Sequence, residues 1–291
     1  CQGAFFASSS GHCGFDCQYC IINPIAKHQP SLVFEDFRFI CEYFDAPVFF
    51  ALSGVGDFMV SYARSQRLLE RLLGLDVEVA LDTNGAALQE LPELAPERLE
   101  KIRYINLTMH YHQIKQKNLL ERWPANARTI LERRFEQTHP DYILSPPLQD
   151  EWEEAIALYA DKVYAQTARP LLLVRDVNRP FSAADEDRLA SLRAKFGEVL
   201  AGEHREDFAA GFRDRSDVLC PAGMRYFRVW NDGRVQGCPN LPHVTELSDC
   251  GNVKERRLNV SKTPFRCRSP NFCDCHVIDG LGMMRVPSNA C

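Results

Sequence analysis

No run of about 18 uncharged apolar residues occurs anywhere in the chain, so nothing in it reads as a membrane span. The sequence also lacks a basic excess. Its formal net charge is −5 and its pI is near 5.9, and no dense Lys/Arg run offers the electrostatic footprint of a nucleic-acid binder. The longest mixed cluster, Lys254-Glu255-Arg256-Arg257, reads as a solvated turn. Internal repeats and low-complexity tracts are missing as well. Cysteine is absent from the 178 residues between Cys41 and Cys220. That stretch nevertheless reads as a well-cored α/β domain, so disulfides, the staples of small secreted domains without a core, do not hold it together. The chain opens on Cys1 rather than methionine. From this we expect trimmed N-terminal sequence, with a removed signal peptide left open.

What the chain has in quantity is cysteine elsewhere. Of its 12 cysteines, three fall within residues 13–20 and seven between Cys220 and Cys291, leaving only Cys1 and Cys41 outside the two groups. Metal or cluster ligation in a reducing, cytoplasmic compartment fits that clustering better than a disulfide framework. With 291 residues, 45% hydrophobic and 25% charged, the chain is long enough for one large domain and a small appendage.

Residues 4–210 alternate short apolar strands with amphipathic helices, the pattern of a parallel sheet. Strands are expected at Gly3–Ala7, Pro47–Leu52, Val77–Leu81, Ile102–Met109, Tyr142–Ser145 and Leu171–Arg175. Helices are expected at Ser31–Phe44, Tyr62–Leu73, part of Leu88–Glu100, Arg128–Gln137, Glu151–Tyr164 and Ala183–Leu200. Six βα units are two short of a closed eight-fold barrel, so the fold predicted is α/β, a partial (β/α)6 TIM-like barrel. Its chemistry would collect at the C-terminal ends of the strands. After about residue 205 the rhythm stops. Phe227–Trp230, the turn Asn231-Asp232-Gly233 and Arg234–Gly237 read as a β-hairpin opening a small cysteine-rich domain. The division is 1–205 for the barrel and 206–291 for the second domain.

The loop after the first strand reads His12-Cys13-Gly14-Phe15-Asp16-Cys17-Gln18-Tyr19-Cys20, spacing C-x3-C-x2-C. Three thiolates in one loop can hold three irons of a [4Fe–4S] cluster and leave the fourth to a non-protein ligand. A zinc loop with His12 as fourth ligand is the alternative. At these residues the chain resembles the radical S-adenosylmethionine (radical SAM) superfamily, which has an aromatic residue before the third cysteine, the place of Tyr19. The resemblance implies that the open iron binds the amino and carboxylate groups of SAM. An electron from the cluster then breaks a carbon–sulfur bond, and the 5′-deoxyadenosyl radical so released removes a hydrogen atom from the substrate. It also implies a flavodoxin- or ferredoxin-type electron donor.

Three further places match that family more loosely. Ser53-Gly54-Val55-Gly56-Asp57 follows the second strand, where the family has a Gly-Gly-Glu-Pro stretch meeting the SAM ammonium; Asp57 would stand for the acid, while Phe58 replaces the proline. An ordinary Gly-rich turn is the plainer explanation. Thr83-Asn84-Gly85 resembles the family's Asn-Gly loop after the third strand. Thr108 and His110, ending the fourth, sit where ribose or substrate contacts arise. His112 gets no specific role, although two histidines two apart could form a metal pair or acid/base groups. Arg175 ends the sixth strand and would either face the site or form a surface ion pair.

Cys220-x12-Gly233-x4-Cys238 resembles the opening of the SPASM and twitch domains, which carry auxiliary [4Fe–4S] clusters behind radical SAM barrels, and Gly251-Asn252-Val253 resembles a Gly-Asn step found there. The full SPASM form continues C-x2-C-x5-C-x3-C, whereas this chain has Cys267-x5-Cys273-x1-Cys275 and then Cys291. The first cysteine of that run would fall at Pro264, and the last gap is two short. The expectation is one or two auxiliary clusters. The first uses Cys220 and Cys238 plus two among Cys267, Cys273 and Cys275; a second would draw on the remaining cysteines, Cys291 among them, with His276, Cys250 or an exogenous ligand completing it. Two zinc sites are the alternative. Cys250 is either a ligand or the thiol hydrogen donor that radical SAM epimerases need.

The resemblance leaves two classes of substrate. A short chain with a compact second domain leans towards a small polar molecule of sugar or aminoglycoside type, undergoing epimerisation or dehydrogenation. The other class is a ribosomally made peptide, given a thioether, a carbon–carbon cross-link or an epimerised residue. A non-catalytic iron–sulfur or zinc protein is the competing reading from outside enzymology.

Overall fold

The computed structural model describes residues 3–7, 13–20, 32–44, 47–53, 56–59, 67–87, 94–133, 138–176, 179–204, 219–220, 222–237, 249–263 and 265–266. Seven strands run parallel in chain order: β1 (Gly3–Ala7), β2 (Val48–Leu52), β3 (Val77–Thr83), β4 (Ile102–Met109), β5 (Thr138–Leu144), β6 (Leu171–Arg175) and β7 (Leu200–His204). Helices lie between them: α1 (Phe34–Phe44), α2 (Leu68–Leu73), α3 (Pro96–Leu99), α4 (Tyr111–Gln116), α5 (Arg122–Glu132), α6 (Trp152–Tyr159), α7 (Ala165–Thr167) and α8 (Ala183–Phe196). This is the α/β partial barrel that the alternation predicts. No helix among the described residues is long and apolar enough to cross a membrane.

The sheet is wider than six strands. The helix expected over Ala183–Leu200 stops at Phe196, and Leu200–His204 becomes β7 on the open edge of β6. The turn begins at Gly197, the worst helix former after proline, and the Val199 carbonyl then accepts the Leu171 N–H at 2.7 Å. Inside α8, Ser182 and Asp185 form the reciprocal capping box that fixes its start. Strand β5 begins earlier than the sequence suggests, because Pro140 sits within it.

The expected hairpin forms from β9 (Tyr226–Val229) and β10 (Val235–Gln236), while β8 (Leu219–Cys220) lies just before it. Strand β9 pairs in parallel with β1, matching Ala7 with Val229, so the hairpin extends the barrel sheet to nine strands in the order β10-β9-β1-β2-β3-β4-β5-β6-β7. Aromatic packing seals that seam: Phe5 stacks on Phe227 at 4.9 Å and meets Phe44 of α1 edge-on at 5.2 Å. Gly233 makes the turn with φ +89, and a Cβ there would come within 2.5 Å of the Asn252 side chain. Two small ladders follow, β11 (Gly251–Asn252) with β12 (Arg257–Leu258), and β13 (Phe265–Arg266) with β8. Lys254 to Arg256 form the exposed turn expected of that charged cluster.

Strand alternation divides the side chains between two faces. Val48, Phe50, Leu52, Val79, Leu81, Ile105 and Leu107 join the helices in the main core. Phe49, Ala51, Ala80 and Tyr104 line the opposite, concave face together with Asp82, Asn106, Thr108 and Asp141, which follow at the same alternation.

Candidate functional site

Four strand ends bring the sequence-derived candidates together. The cysteine loop follows β1, Asp57 follows β2, Thr83 and Asn84 close β3, and His110 closes β4. Cys17 is buried at 7% exposure while Cys13 and Cys20 are exposed, and none of the three is in a disulfide. Although the residue is exposed overall, protein atoms packed around the Cys13 sulfur desolvate it and raise its thiol above the ordinary pKa, and burial pushes Cys17 up to about 12. Without a metal these thiols therefore keep their protons; a cation would reverse that balance.

Asp57 is the hub of this end. At 2% exposure it accepts the Thr83 hydroxyl at 3.0 and 3.1 Å, the Asn84 N–H at 2.7 Å and the Met59 N–H at 2.8 Å. It thus fastens the loop after β2 to the end of β3. Gly85 takes φ +75, and a Cβ there would lie 2.7 Å from both Leu107 and Trp123, so the turn demands glycine. Trp123 donates to the Asn84 carbonyl at 2.8 Å, and Asn126 to the Gly85 carbonyl at 2.7 Å. Held in this way, the Asn84 amide points its Nδ2 at Cys13 Sγ, 3.7 Å away.

His110 reaches the same loop from β4. Its Nδ1 lies 2.8 Å from the Tyr19 hydroxyl and 3.4 Å from Cys17 Sγ. The imidazole stacks on Tyr19 and receives Phe15 edge-on. Burial lowers its pKa to about 4, so the ring is neutral. One turn on, Gln113 of α4 accepts the Asp16 N–H at 2.9 Å and donates to the Asp16 carbonyl at 3.3 Å. Trp123, Asn126, Gln113 and Phe15 were not among the sequence candidates. No local pattern marks them, because each acts across a large sequence separation.

The remaining candidates stand as follows. Ser53 continues the ladder by donating its N–H to Ala7 O at 3.3 Å, and its side chain bonds Asp82, whose carboxyl burial pushes above the ordinary range. Gly56 has φ +86, and Gly54 lies outside the described residues. Thr108 faces the concave side next to Asp141. His112 turns away from His110 and bonds Glu151 at 3.1 Å, so the two form no pair. Arg175 pairs with Glu186 and covers the Phe181 ring at 4.6 Å. Cys250 is buried in the main core and outside any disulfide, its N–H donating to the Val235 carbonyl at 2.9 Å. The backbone of Cys220 pairs with Phe265. Cys238, Cys267, Cys273, Cys275, Cys291, His12 and His276 lie outside the described residues.

Among the described residues, no group of three or more His, Cys, Asp or Glu side chains converges on one metal ion. A cluster asks for less convergence, since each thiolate meets its own iron. Three thiols on one loop are the donor set that a three-ligand iron–sulfur cluster requires; His12, the fourth ligand of the zinc alternative, lies outside the described residues.

No protein-family model and no curated protein matches the chain. Solved structures do. Native anSMEcpe with bound AdoMet and Kp18Cys peptide is 14% identical, over 87% of this chain and 78% of that one, with a TM-score of 0.52. Hexahistidine-tagged anSMEcpe with bound AdoMet gives 13% identity, the same coverage and 0.52. Streptococcus suis SuiB bound to S-adenosylmethionine is 13% identical with a TM-score of 0.48, and the chain spans 59% of its length. At these identities the likeness to anSMEcpe establishes a shared fold.

Proposed function

We propose that the chain is a radical SAM enzyme that removes a hydrogen atom from a small polar substrate, leading to epimerisation or dehydrogenation. The observation that carries the reading is the C-x3-C-x2-C loop after β1, its thiols outside any disulfide and bordered by Asn84 and His110 from the ends of β3 and β4. The fold it shares with AdoMet-bound anSMEcpe supports the same reading. A bound [4Fe–4S] cluster would supply the electron that cleaves SAM to methionine and a 5′-deoxyadenosyl radical.

The chain's own residues do the rest. Cys13, Cys17 and Cys20 hold the cluster, and Asn84 and the Phe15 N–H, 3.5 Å from Cys13 Sγ, donate to a ligand sulfur. Ser53, Gly54 and Gly56 border the SAM pocket with Asp57 as their anchor, while Thr108 and the concave face meet nucleoside and substrate. Asp82, Asn106 and Asp141 make that face polar, which suits a hydroxylated or amino-bearing substrate. Residues 206–291, whose hairpin joins the barrel sheet, would carry one or two auxiliary clusters: the first on Cys220, Cys238 and two among Cys267, Cys273 and Cys275, a second drawing on the remaining cysteines with Cys291 among them. Cys250 is either a further cluster ligand or the hydrogen donor for epimerisation. A second reading, peptide modification, is favoured by the peptide bound in anSMEcpe on the same fold.

Anaerobic reconstitution tests the class. At least about four irons per chain and 5′-deoxyadenosine formed from SAM and dithionite are expected; zinc without SAM turnover would overturn the reading. Turnover in deuterated water then separates the reactions. Solvent deuterium in the product marks thiol-mediated epimerisation, and loss of two hydrogens marks oxidation.

A further inference from the structure

We propose that Gln113 is a positioning residue for the cysteine loop. Its carboxamide clamps the Asp16 backbone beside Cys17, and a hydrogen-bond chain through Gln116 and His112 to Glu151 fixes which way that carboxamide faces. The inference rests on the proposed function, in which Cys13, Cys17 and Cys20 hold a cluster.

The clamp is a two-point contact. Gln113, at 4% exposure in α4, accepts the Asp16 N–H through Oε1 at 2.9 Å and donates from Nε2 to the Asp16 carbonyl at 3.3 Å. A residue that exchanges both backbone bonds with one partner is held as in the hydrogen-bonded pair of an antiparallel ladder. Gln113 thus acts as a one-residue strand partner, reaching across 97 residues of chain to the middle of the C-x3-C-x2-C loop. The neighbouring Phe15 N–H stays directed at Cys13 Sγ, 3.5 Å away, while the Asp16 N–H is withdrawn from the sulfurs.

A count of hydrogens sets the rest. Flipped, the carboxamide would put oxygen against the Asp16 carbonyl and N–H against N–H, so the clamp settles its own orientation. The second Nε2 hydrogen of Gln113 goes to Gln116 Oε1 at 3.1 Å. That leaves Gln116 Nε2 facing His112 Nε2 at 2.8 Å, where the imidazole nitrogen accepts. His112 therefore carries its hydrogen on Nδ1 and donates it to Glu151, whose two oxygens lie 3.1 Å away. From the carboxylate to the cysteine loop, every donor in the chain meets an acceptor. Gln116 is exposed and water competes for its bonds, so its share is smaller than that of the buried clamp.

The test has two arms on the full chain. Hydrogen exchange over residues 13–20 is followed in the metal-free protein, and chelator-driven iron loss in the reconstituted one. Gln113→Leu is expected to remove protection of the Asp16 amide and to speed iron loss by about tenfold, the scale of an outer-shell partner. Gln113→Glu keeps size and shape but sets an acceptor against the Asp16 carbonyl, so it should match Gln113→Leu; a packing role would leave it at the parent level. Gln116→Leu, a surface change, should move both readouts the same way by less. Glu151→Gln still accepts from His112 and should stay at the parent rate. Parent-level exchange and iron loss in Gln113→Glu would overturn the clamp, and parent-level values in Gln116→Leu would overturn the orienting chain. A parent chain that binds no cluster overturns the proposed function instead, while the exchange arm still judges the clamp.

Discussion

Two buried carboxylates do the same job at the two halves of the barrel mouth, and what lies beside them differs. Asp57, after β2, takes the hydroxyl of Thr83 at the end of β3; Asp176, after β6, takes the hydroxyl of Ser145 at the end of β5 at 2.8 Å. In both cases a hydroxyl one strand over ties a loop to the neighbouring ladder. The first half then directs its polar side chains inward, with Asn84 to Cys13 and His110 to Tyr19 and Cys17. The second half closes on itself, with Arg175 paired to Glu186 and lying over Phe181. A shared device for fixing loops therefore borders the proposed cofactor site on one side and a self-contained ion pair on the other.

The largest effect expected to sharpen that contrast is chemical. On the proposed function Cys17 is a cluster ligand, so Cys17→Ala should abolish cluster loading and bring 5′-deoxyadenosine formation to background, while thermal unfolding of the chain as purified changes little. Iron analysis beside a melting curve checks both halves of that statement. Next comes the carboxylate pair. Asp57→Ala orphans a hydroxyl and two backbone N–H groups, each costing about 1–3 kcal/mol, so roughly 3 kcal/mol of stability should go, and iron retention with it. Asp176→Ala should cost less, about 1–2 kcal/mol, and leave iron retention at the parent level. Equal loss of iron in both variants would break the comparison. Gly85→Ala is expected to cost about 2 kcal/mol, because it adds a left-handed penalty to an overpacked contact with Leu107 and Trp123. Its unfolding midpoint in urea should fall with the slope unchanged.

The sequence makes the strands at Gly3–Ala7, Ile102–Met109 and Leu171–Arg175 legible to the residue, because each is a compact apolar run bounded by turn or charge signals. The C-x3-C-x2-C loop and the Asn84-Gly85 turn are legible for the same reason: their chemistry is local in the chain. What sequence periodicity does not reveal is long-range. Strand β7 looks like the tail of a helix until the edge of β6 supplies a partner. The hairpin shows itself as a hairpin, but nothing local says that Tyr226–Val229 will add to β1. The Asp57 carboxylate reads as a ligand-facing acid in sequence, yet it is buried and accepts from Met59, Thr83 and Asn84, partners that no local pattern announces.

The smallest expected effect concerns the far side of β1, where the late hairpins meet the early helix. Arg256 sits in the turn between β11 and β12 with φ +56, and its guanidinium reaches the Glu35 carbonyl at 2.9 Å, Asp36 at 3.2 Å and the Val253 carbonyl at 3.1 Å. Asp36 is buried and also accepts the Val33 N–H at 3.0 Å, which caps α1. Removing the side chain gives up one partly exposed ion pair and two carbonyl contacts, together about 1 kcal/mol. The αL backbone adds a counterweight, since glycine adopts that conformation at no steric cost. Arg256→Gly should therefore lose less stability than Arg256→Ala, a difference of a few tenths to about 1 kcal/mol readable in paired urea melts. Neither variant should alter iron content, because the Arg256 guanidinium bonds Glu35, Asp36 and Val253, and these partners include no residue of the cysteine loop.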